Sequence, residues 1–398
     1  MRRIFNIYRR AYSGLPRGVW LLALVMLVNR GGSMVLFFIT LYLTQEMAYS
    51  VAAAGQLVSL YGLGSLAGAF LGGWLSDRWG AKWVQIASLA LSGIGFIILA
   101  YLTTPLQIGA MLFLVALVGE ALRPANSTAV ARHCPPEQRA RGFGLNRLAV
   151  NLGVTVGPAL GGFLATIDYH YLFWVDGLTC IAAAILLAYF FHGEDDRAAA
   201  PHPDVKKATR SPWRDRPFLV LLLLLMSCGL VFNQLFNTWP VYLRETYQLL
   251  ENRIGLLMAM NAFLVVLIEM PLLHRLEGAH PLRMITLGAI FLFGGFAILP
   301  LGTGVSYIAF TVVIWTIGEM LVFPIVASLI ANRAADHNRG QYMGMFTFAF
   351  ALAFVIGPLL GTWIYDHVGA NMLWYSCGGL GLLATLGFLG LKPFYRTQ

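Results

Sequence analysis

Charge is scarce in this chain. Only 11% of its 398 residues are Asp, Glu, Lys or Arg, where a soluble globular protein carries roughly 25%. Hydrophobic residues make up 58% and the mean hydropathy is +0.71, which excludes an ordinary water-soluble fold. Cysteine is equally sparse: Cys134, Cys180, Cys228 and Cys377 are scattered without paired spacing, so neither a disulfide framework nor a zinc site is expected. His133 beside Cys134, and the isolated His170, His274 and His337, fall at helix ends or in loops and give no metal spacing. A Gly-rich phosphate loop of the form GxxxxGK[ST] is missing, which argues against ATP as the direct energy source. No G-x-S-x-G elbow or triad is present, so an enzyme is the weaker class. Behind Arg2, Arg3, Arg9 and Arg10 there is no short apolar core ending in a small-residue cleavage site, so no removable signal peptide is expected. No cofactor and no metal ion are expected.

What the chain has in abundance is apolar runs of membrane-crossing length, about 20 residues each. They read as twelve spans at roughly 18–44, 51–75, 82–102, 106–131, 143–166, 170–192, 217–243, 253–273, 282–301, 305–331, 341–366 and 370–392. All are expected to be helices, because lipid offers no partner to unpaired backbone groups, and none alternates as a β-barrel strand would. The longest connection runs from His192 to Arg216 and carries Glu194, Asp195, Asp196 and three prolines. The expected organisation is therefore a six-helix unit over 1–192, a cytoplasmic linker over 193–216 and a six-helix unit over 217–398.

The net charge of +9 would suit nucleic acid until the basic residues are placed. With the N-terminus inside, cytoplasmic segments hold 22 of the 27 Lys and Arg, including five within 2–17 and six from Arg197 to Arg216. Only Arg244 and Arg253 lie outside, and Arg30, Arg123 and Arg147 fall within spans. This asymmetry predicts both termini in the cytoplasm of a bacterial inner-membrane protein. It accounts for the charge with no nucleic-acid partner.

The two halves repeat one unit. A shift of 200 places Gly157-Pro158-x-x-Gly161 on Gly357-Pro358-x-x-Gly361 and Gly144 on Gly344. Gly119-Glu120 matches Gly318-Glu319 at a shift of 199, each followed by a proline, Pro124 or Pro324. An even number of spans separates the copies, so they share one orientation. A repeat of that kind places a binding site near the midplane between the halves.

Gly73-Trp74-Leu75-Ser76-Asp77-Arg78-Trp79-Gly80-Ala81-Lys82, in the loop after the second span, resembles the signature loop of the major facilitator superfamily. The fifth span carries Gly144, Gly153, Gly157-Pro158 and Gly161-Gly162, a pattern similar to the antiporter motif of the superfamily's drug:proton antiporters. The resemblance covers essentially the whole chain. It implies an all-α membrane protein of twelve transmembrane helices in two pseudo-symmetric six-helix bundles, exporting by antiport. Physical reasons stand beside it. Gly153, Gly157 and Gly161 recur every four residues and give one helix face a close approach to a neighbour, which generic helix packing would also use. Pro158 removes a helix hydrogen bond and permits a bend. Asp77 with Arg78 and Lys82 can form cytoplasmic salt bridges that latch one conformation, and Asp77 can sit at a helix N-terminus.

Ionisable groups within spans are costly and mark function by default. In the superfamily's arrangement spans 1, 4, 7 and 10 line the cavity, and the unusual polar groups fall on those four: Asn29 and Arg30, Glu120 and Arg123, Asn233 and Asn237, and Glu319. Glu319 has no sequence-near arginine, so it is the first candidate proton carrier, with Glu120 the second. Glu120 is also placed to pair with Arg123 or Arg30, in which case the three form a structural cluster. The drug antiporters' first-span acid is replaced here by Arg30. Asp176 and Glu269 read as end-of-helix residues near water. Trp239, Phe236, Tyr242, Trp315 and Phe323 are candidate pocket walls. The preferred expectation is proton-coupled export of small amphiphilic compounds by a monomer in the lipid bilayer. A carrier for an anionic or zwitterionic metabolite, its carboxylate gripped by Arg30 and Arg123, is the second, and a non-transporting receptor or scaffold the third.

Overall fold

The computed structural model describes residues 14–135, 138–191, 212–276, 278–334 and 338–395. The basic residues 2–10, most of the expected linker (193–211) and His337 lie outside the described residues. Among those described, all regular structure is helical. The helices are α1 (Arg17–Gly32), α2 (Val35–Leu41, continued by a π-turn over Tyr42–Glu46), α3 (Val51–Trp79), α4 (Ala81–Leu99), α5 (Pro105–Gly119), α6 (Leu122–His133), α7 (Arg139–Ile167) and α8 (His170–Phe190). They continue with α9 (Arg216–Asn233), α10 (Thr238–Glu245), α11 (Glu251–Arg275), α12 (Pro281–Ala297), α13 (Val305–Arg333), α14 (Arg339–His367) and α15 (Ala370–Leu391). Among the described residues, eleven helices or end-to-end helix pairs are long and apolar enough to cross a membrane, and α12 is a shorter apolar helix of 17 residues. Together they fall on the segments expected from hydropathy to within a few residues.

Three expected spans are broken where the sequence withdraws helical support. α1 ends at Gly31-Gly32-Ser33, where two glycines carry a high backbone entropy cost. The fourth span breaks at Glu120–Ala121, and Pro124 has no N–H to return to the carbonyl of Glu120. The seventh breaks at Asn237, with φ −121° and ψ −80°, after the 3₁₀ turn Gln234–Phe236. By contrast α7, α13 and α14 run unbroken through Pro158, Pro324 and Pro358.

By their contacts the residues form two units, Met1–Phe37 with Leu63–Ala200, and Phe38–Gly62 with Pro201–Gln398. The grouping divides the first two spans instead of falling only at the linker. In the first unit α1 packs on α7 and α8, and α4 on α8, α5 and α6, around Leu22, Val25, Met26, Leu89, Val130 and Leu187. In the second, α9 packs on α14 and α15, and α12 on α13 and α15. Large apolar side chains such as Phe70, Leu106, Leu382 and Leu386 stay exposed on the outside, as a hydrocarbon solvent requires and water forbids.

Candidate functional site

In the first unit, the break in the first span is built from both sides. Asp176 of α8, only 2% exposed, accepts the backbone N–H of Met34 (3.0 Å) and Val35 (3.1 Å) on its Oδ2. One turn earlier the Asn29 amide donates to the Cys180 sulfur at 3.2 Å. The α7 glycines close the other side. A Cβ at Gly157 would lie 2.6 Å from the Ser33 carbonyl oxygen, and one at Gly153 would lie 2.6 Å from the Arg30 Cβ. Gly161 and Gly162 are buried on the same helix, and Gly144 is half-buried. The glycine motif is therefore a seat for the broken first helix. Arg30 sits at this seat half-buried, its Nε enclosed and without a hydrogen-bond partner.

Glu120 pairs with Arg123, Oε2 to Nε at 2.8 Å, with the arginine side chain 67% exposed and the glutamate 14%. The structure thus takes the Arg123 alternative for Glu120.

In the second unit, Glu319 on α13 meets α11. The Asn261 amide donates to Glu319 Oε2 at 2.8 Å and to Thr316 Oγ at 3.0 Å, and the Thr316 hydroxyl donates onward to the Val312 carbonyl. Asn261 is buried, so a desolvated amide is aimed at the carboxylate. The break between α9 and α10 is held by neutral side chains, amides and hydroxyls. The Asn237 amide donates to Asn233 Oδ1 at 2.7 Å, Gln234 to the Gly357 carbonyl at 3.0 Å, and the Thr238 hydroxyl to Gln234 Oε1 at 2.8 Å. A Cβ at Gly357 would lie 2.8 Å from Asn233 Oδ1. Gly157 and Gly357, matched by the shift of 200, seat the first-helix break of their own units.

Trp239 and Trp315 are fully buried, and Trp315 stacks on Phe296 at 5.3 Å with 19° between planes. They belong to the packed interior. Half-buried beside them runs a chain of rings the sequence reading missed in large part: Phe232, Phe236, Phe323, Phe346, Phe350 and Phe354, with centroids 5.2–6.4 Å apart. The signal was there, since phenylalanine recurs every four residues over 346–354 and marks one helix face.

Several expectations need correction. The signature segment is no loop, because α3 continues through Trp79 and only Gly80 turns, at φ +90°. Gly73 is a helical residue with open space around it. Asp77 therefore lies in a last turn, not at an N-terminus, and it is exposed with no ion pair among the described residues. Beside it, Arg78 lies over the Trp74 ring at 5.4 Å and Lys82 caps the Phe191 carbonyl, where a C-terminal carbonyl favours a cation. Asp176 and Glu269 are buried at 2% and 6% exposure, not end residues near water.

At the end of α9, Asp215 caps the helix through Phe218 N–H at 3.3 Å and accepts a bidentate pair from Arg333, both contacts 2.7 Å. The Tyr342 hydroxyl adds a bond at 2.9 Å. Burial pushes the Asp215 carboxyl up, but the Arg333 and Tyr342 bonds outweigh it and hold it below the usual carboxylate range.

The model of the Major Facilitator Superfamily matches residues 21–354 and 322–398, and the chain belongs to that superfamily of transporters. It is 27% identical to the MFS-type transporter YqjV of Bacillus subtilis, over 92% of this chain and 90% of that one. It is 24% identical to the multidrug resistance protein MdtH of Proteus mirabilis, covering 93% and 92%. The Na(+), Li(+), K(+)/H(+) antiporter of Planococcus maritimus is 24% identical, covering 83% and 85%. Among solved structures, a POT family transporter in complex with 5-aminolevulinic acid superimposes with a TM-score of 0.85 at 17% identity, covering 97% and 98%. That likeness is one of fold. The chain is an integral, multi-pass membrane transporter.

Proposed function

We propose that the protein exports small amphiphilic compounds across the bacterial cytoplasmic membrane in exchange for protons. Two six-helix bundles, 1–192 and 217–398, work by alternating access about the linker 193–216. The protein acts as a monomer with both termini in the cytoplasm. The observation that carries this reading is Glu319, a carboxylate within an apolar span, facing the buried amide of Asn261. A carboxylate in that setting is costly to keep without function, and proton uptake and release is the chemistry open to it. The half-buried phenylalanine chain from Phe232 to Phe354 offers apolar faces to an amphiphile. The multidrug and antiporter relatives agree with this direction.

The test is proton flux in everted vesicles under an imposed pH gradient, with candidate compounds of both charge signs. Substrate-evoked collapse of the gradient is expected, and its loss in Glu319→Gln assigns the proton. Collapse that persists in the variant moves the carrier to Glu120, Asp77 or Glu269. No response to any compound overturns export.

A second reading rests on Arg30 and Arg123. The enclosed, unpartnered Arg30 Nε and the exposed Arg123 head suit a carboxylate, and so favour an anionic or zwitterionic metabolite. Several solved transporters of this fold carry peptides. Arg30→Ala that abolishes transport of anions while sparing cations selects this reading.

A further inference from the structure

One buried acid takes no part in that cycle. Asp176 has 2% of its surface exposed and lies within an apolar helix of the first unit. It makes no ion pair among the described residues. Its partners are the two backbone N–H groups released where the first span breaks, and the Cys180 thiol at 3.8 Å. An isolated buried carboxylate is among the most expensive groups a membrane helix can hold.

The architecture of such a break does not demand an acid. In the second unit the matching break is held by Asn233, Gln234, Asn237 and Thr238, all neutral. The repeat counterpart of Asp176 is Ser376, which is exposed and bonds to its own helix at the Met372 carbonyl. What a carboxylate has and those amides lack is the capacity to take up a proton.

The groups that face Asp176 are few. From α1 comes Arg30, whose charge acts on it, and from α8 itself Cys180. α4 contributes Ser92, a hydroxyl reaching Cys180, while its Lys82 is held at the Phe191 carbonyl, fifteen residues along α8 from Asp176. The α7 arginines 139, 141 and 147 precede Gly157 by ten residues or more, about 15 Å along the helix. The break is pressed between Asp176 and the α7 glycines, since Gly153 and Gly157 meet Arg30, Gly31 and Ser33 backbone. A change at Asp176 therefore reaches α7 through one residue layer.

We propose that Asp176 is a second protonation site of the transporter, acting on the hinge of the first span. Protonation weakens its hold on Met34 and Val35 and loosens α2 from α1 against the α7 glycine seat. Deprotonation restores both hydrogen bonds. The role in transport rests on the proton-coupled reading above, whereas the titration does not.

The test is infrared difference spectroscopy on the purified full-length protein in lipid, from alkaline to mildly acidic pH. The carbonyl stretch of a protonated carboxylic acid is expected to appear on acidification in the wild type, with a component missing from Asp176→Asn and shifted in Asp176→Glu. Spectra of Asp176→Asn identical to wild type overturn the proposal. If that variant fails to accumulate, an unshifted band in Asp176→Glu overturns it equally. In vesicles, Asp176→Asn is expected to move fewer protons per substrate with a flattened pH profile, and an unchanged stoichiometry and profile overturn the hinge role. A missing infrared component beside wild-type transport that ignores pH sinks coupled export and leaves the protonation site standing.

Discussion

At the scale of single residues, the strongest contrasts are between glycines that share a motif but not an environment. Gly157 is pressed on backbone, with the Ser33 carbonyl oxygen 2.6 Å from where a Cβ would sit. Carbonyl oxygen cannot rotate away, so the helices must separate. Gly157→Ala is expected to cost about 1–3 kcal/mol, the usual range for overpacking, and to lower the unfolding temperature in detergent. Gly73, by contrast, stands in the helical part of the signature segment with nothing near it. Gly73→Ala is expected to leave stability unchanged or raise it by about 0.5–1 kcal/mol, because a helical glycine loses more backbone freedom on folding. Equal destabilisation by the two substitutions would refute the assignment of Gly157 to the seat. The Asn261 amide belongs to the same scale. A hydrogen bond to a charged group is worth about 1.5–3 kcal/mol, so Asn261→Leu is expected to cut substrate-evoked proton flux about tenfold or more. A variant with wild-type flux would detach Asn261 from coupling.

At the scale of elements, the apolar helices were legible from hydropathy and the breaks were not. Twelve apolar runs follow from the bilayer's thickness, which constrains length and composition alone. A break depends on what a distant helix offers to the freed backbone, and Asp176 is 142 residues from Met34. The pattern Gly31-Gly32-Ser33 permitted the break, but only packing placed an acid opposite it. The signature segment misled for a related reason. Gly73 and Gly80 mark a turn in sequence, yet a helix tolerates a single glycine with open space beside it, and only Gly80 adopts positive φ. Sequence left Glu120 to pair with Arg123 or Arg30, and the structure pairs it with Arg123 across the break between α5 and α6. The α9 terminus was missed, because its cap Asp215 draws on Arg333, 118 residues away. This cap has a pH signature. The Asp215 pKa is lowered in the folded protein, so its contribution is complete above the unfolded value of about 3.9. The contribution is lost as pH falls through the lower folded value. Asp215→Asn is expected to be less stable than wild type at neutral pH, by on the order of 2 kcal/mol. The difference should close on acidification below about pH 4. A gap that persists at low pH would show that the loss is not ionic.

At the scale of the whole molecule, the internal repeat extends well beyond the glycines that revealed it. α7 and α14 begin and end 200 residues apart, at Arg139–Ile167 and Arg339–His367. The fourth and tenth spans do the same, over Pro105–His133 and Val305–Arg333. Ala48 and Gln248 both take positive φ, 55° and 54°. The turns that hold them close alike, Tyr49 N–H to the Leu43 carbonyl and Leu249 N–H to the Leu243 carbonyl. This correspondence decides what α12 must do. At 17 residues it is about 25 Å long, short of a hydrocarbon core of about 30 Å. Its counterpart α4 has 19 residues and qualifies as a span. The 3₁₀ turn Leu299–Leu301 extends α12 by three apolar residues. If α12 crosses, α13 keeps the orientation of α5 and the repeat is parallel. If it does not, every helix from α13 on is inverted relative to its partner, and Glu319 and Glu120 can no longer share one arrangement. Arg275 and Thr303 flank α12, and both are exposed. Arg275→Cys and Thr303→Cys, read with a membrane-impermeant maleimide, are expected to label from opposite faces, Thr303→Cys in whole cells and Arg275→Cys only in everted vesicles. The native cysteines are buried, so the unmodified protein supplies a low background. Labelling of both from the same face would remove the ninth span, place the two termini on opposite sides, and end the parallel repeat on which alternating access of two equivalent halves depends.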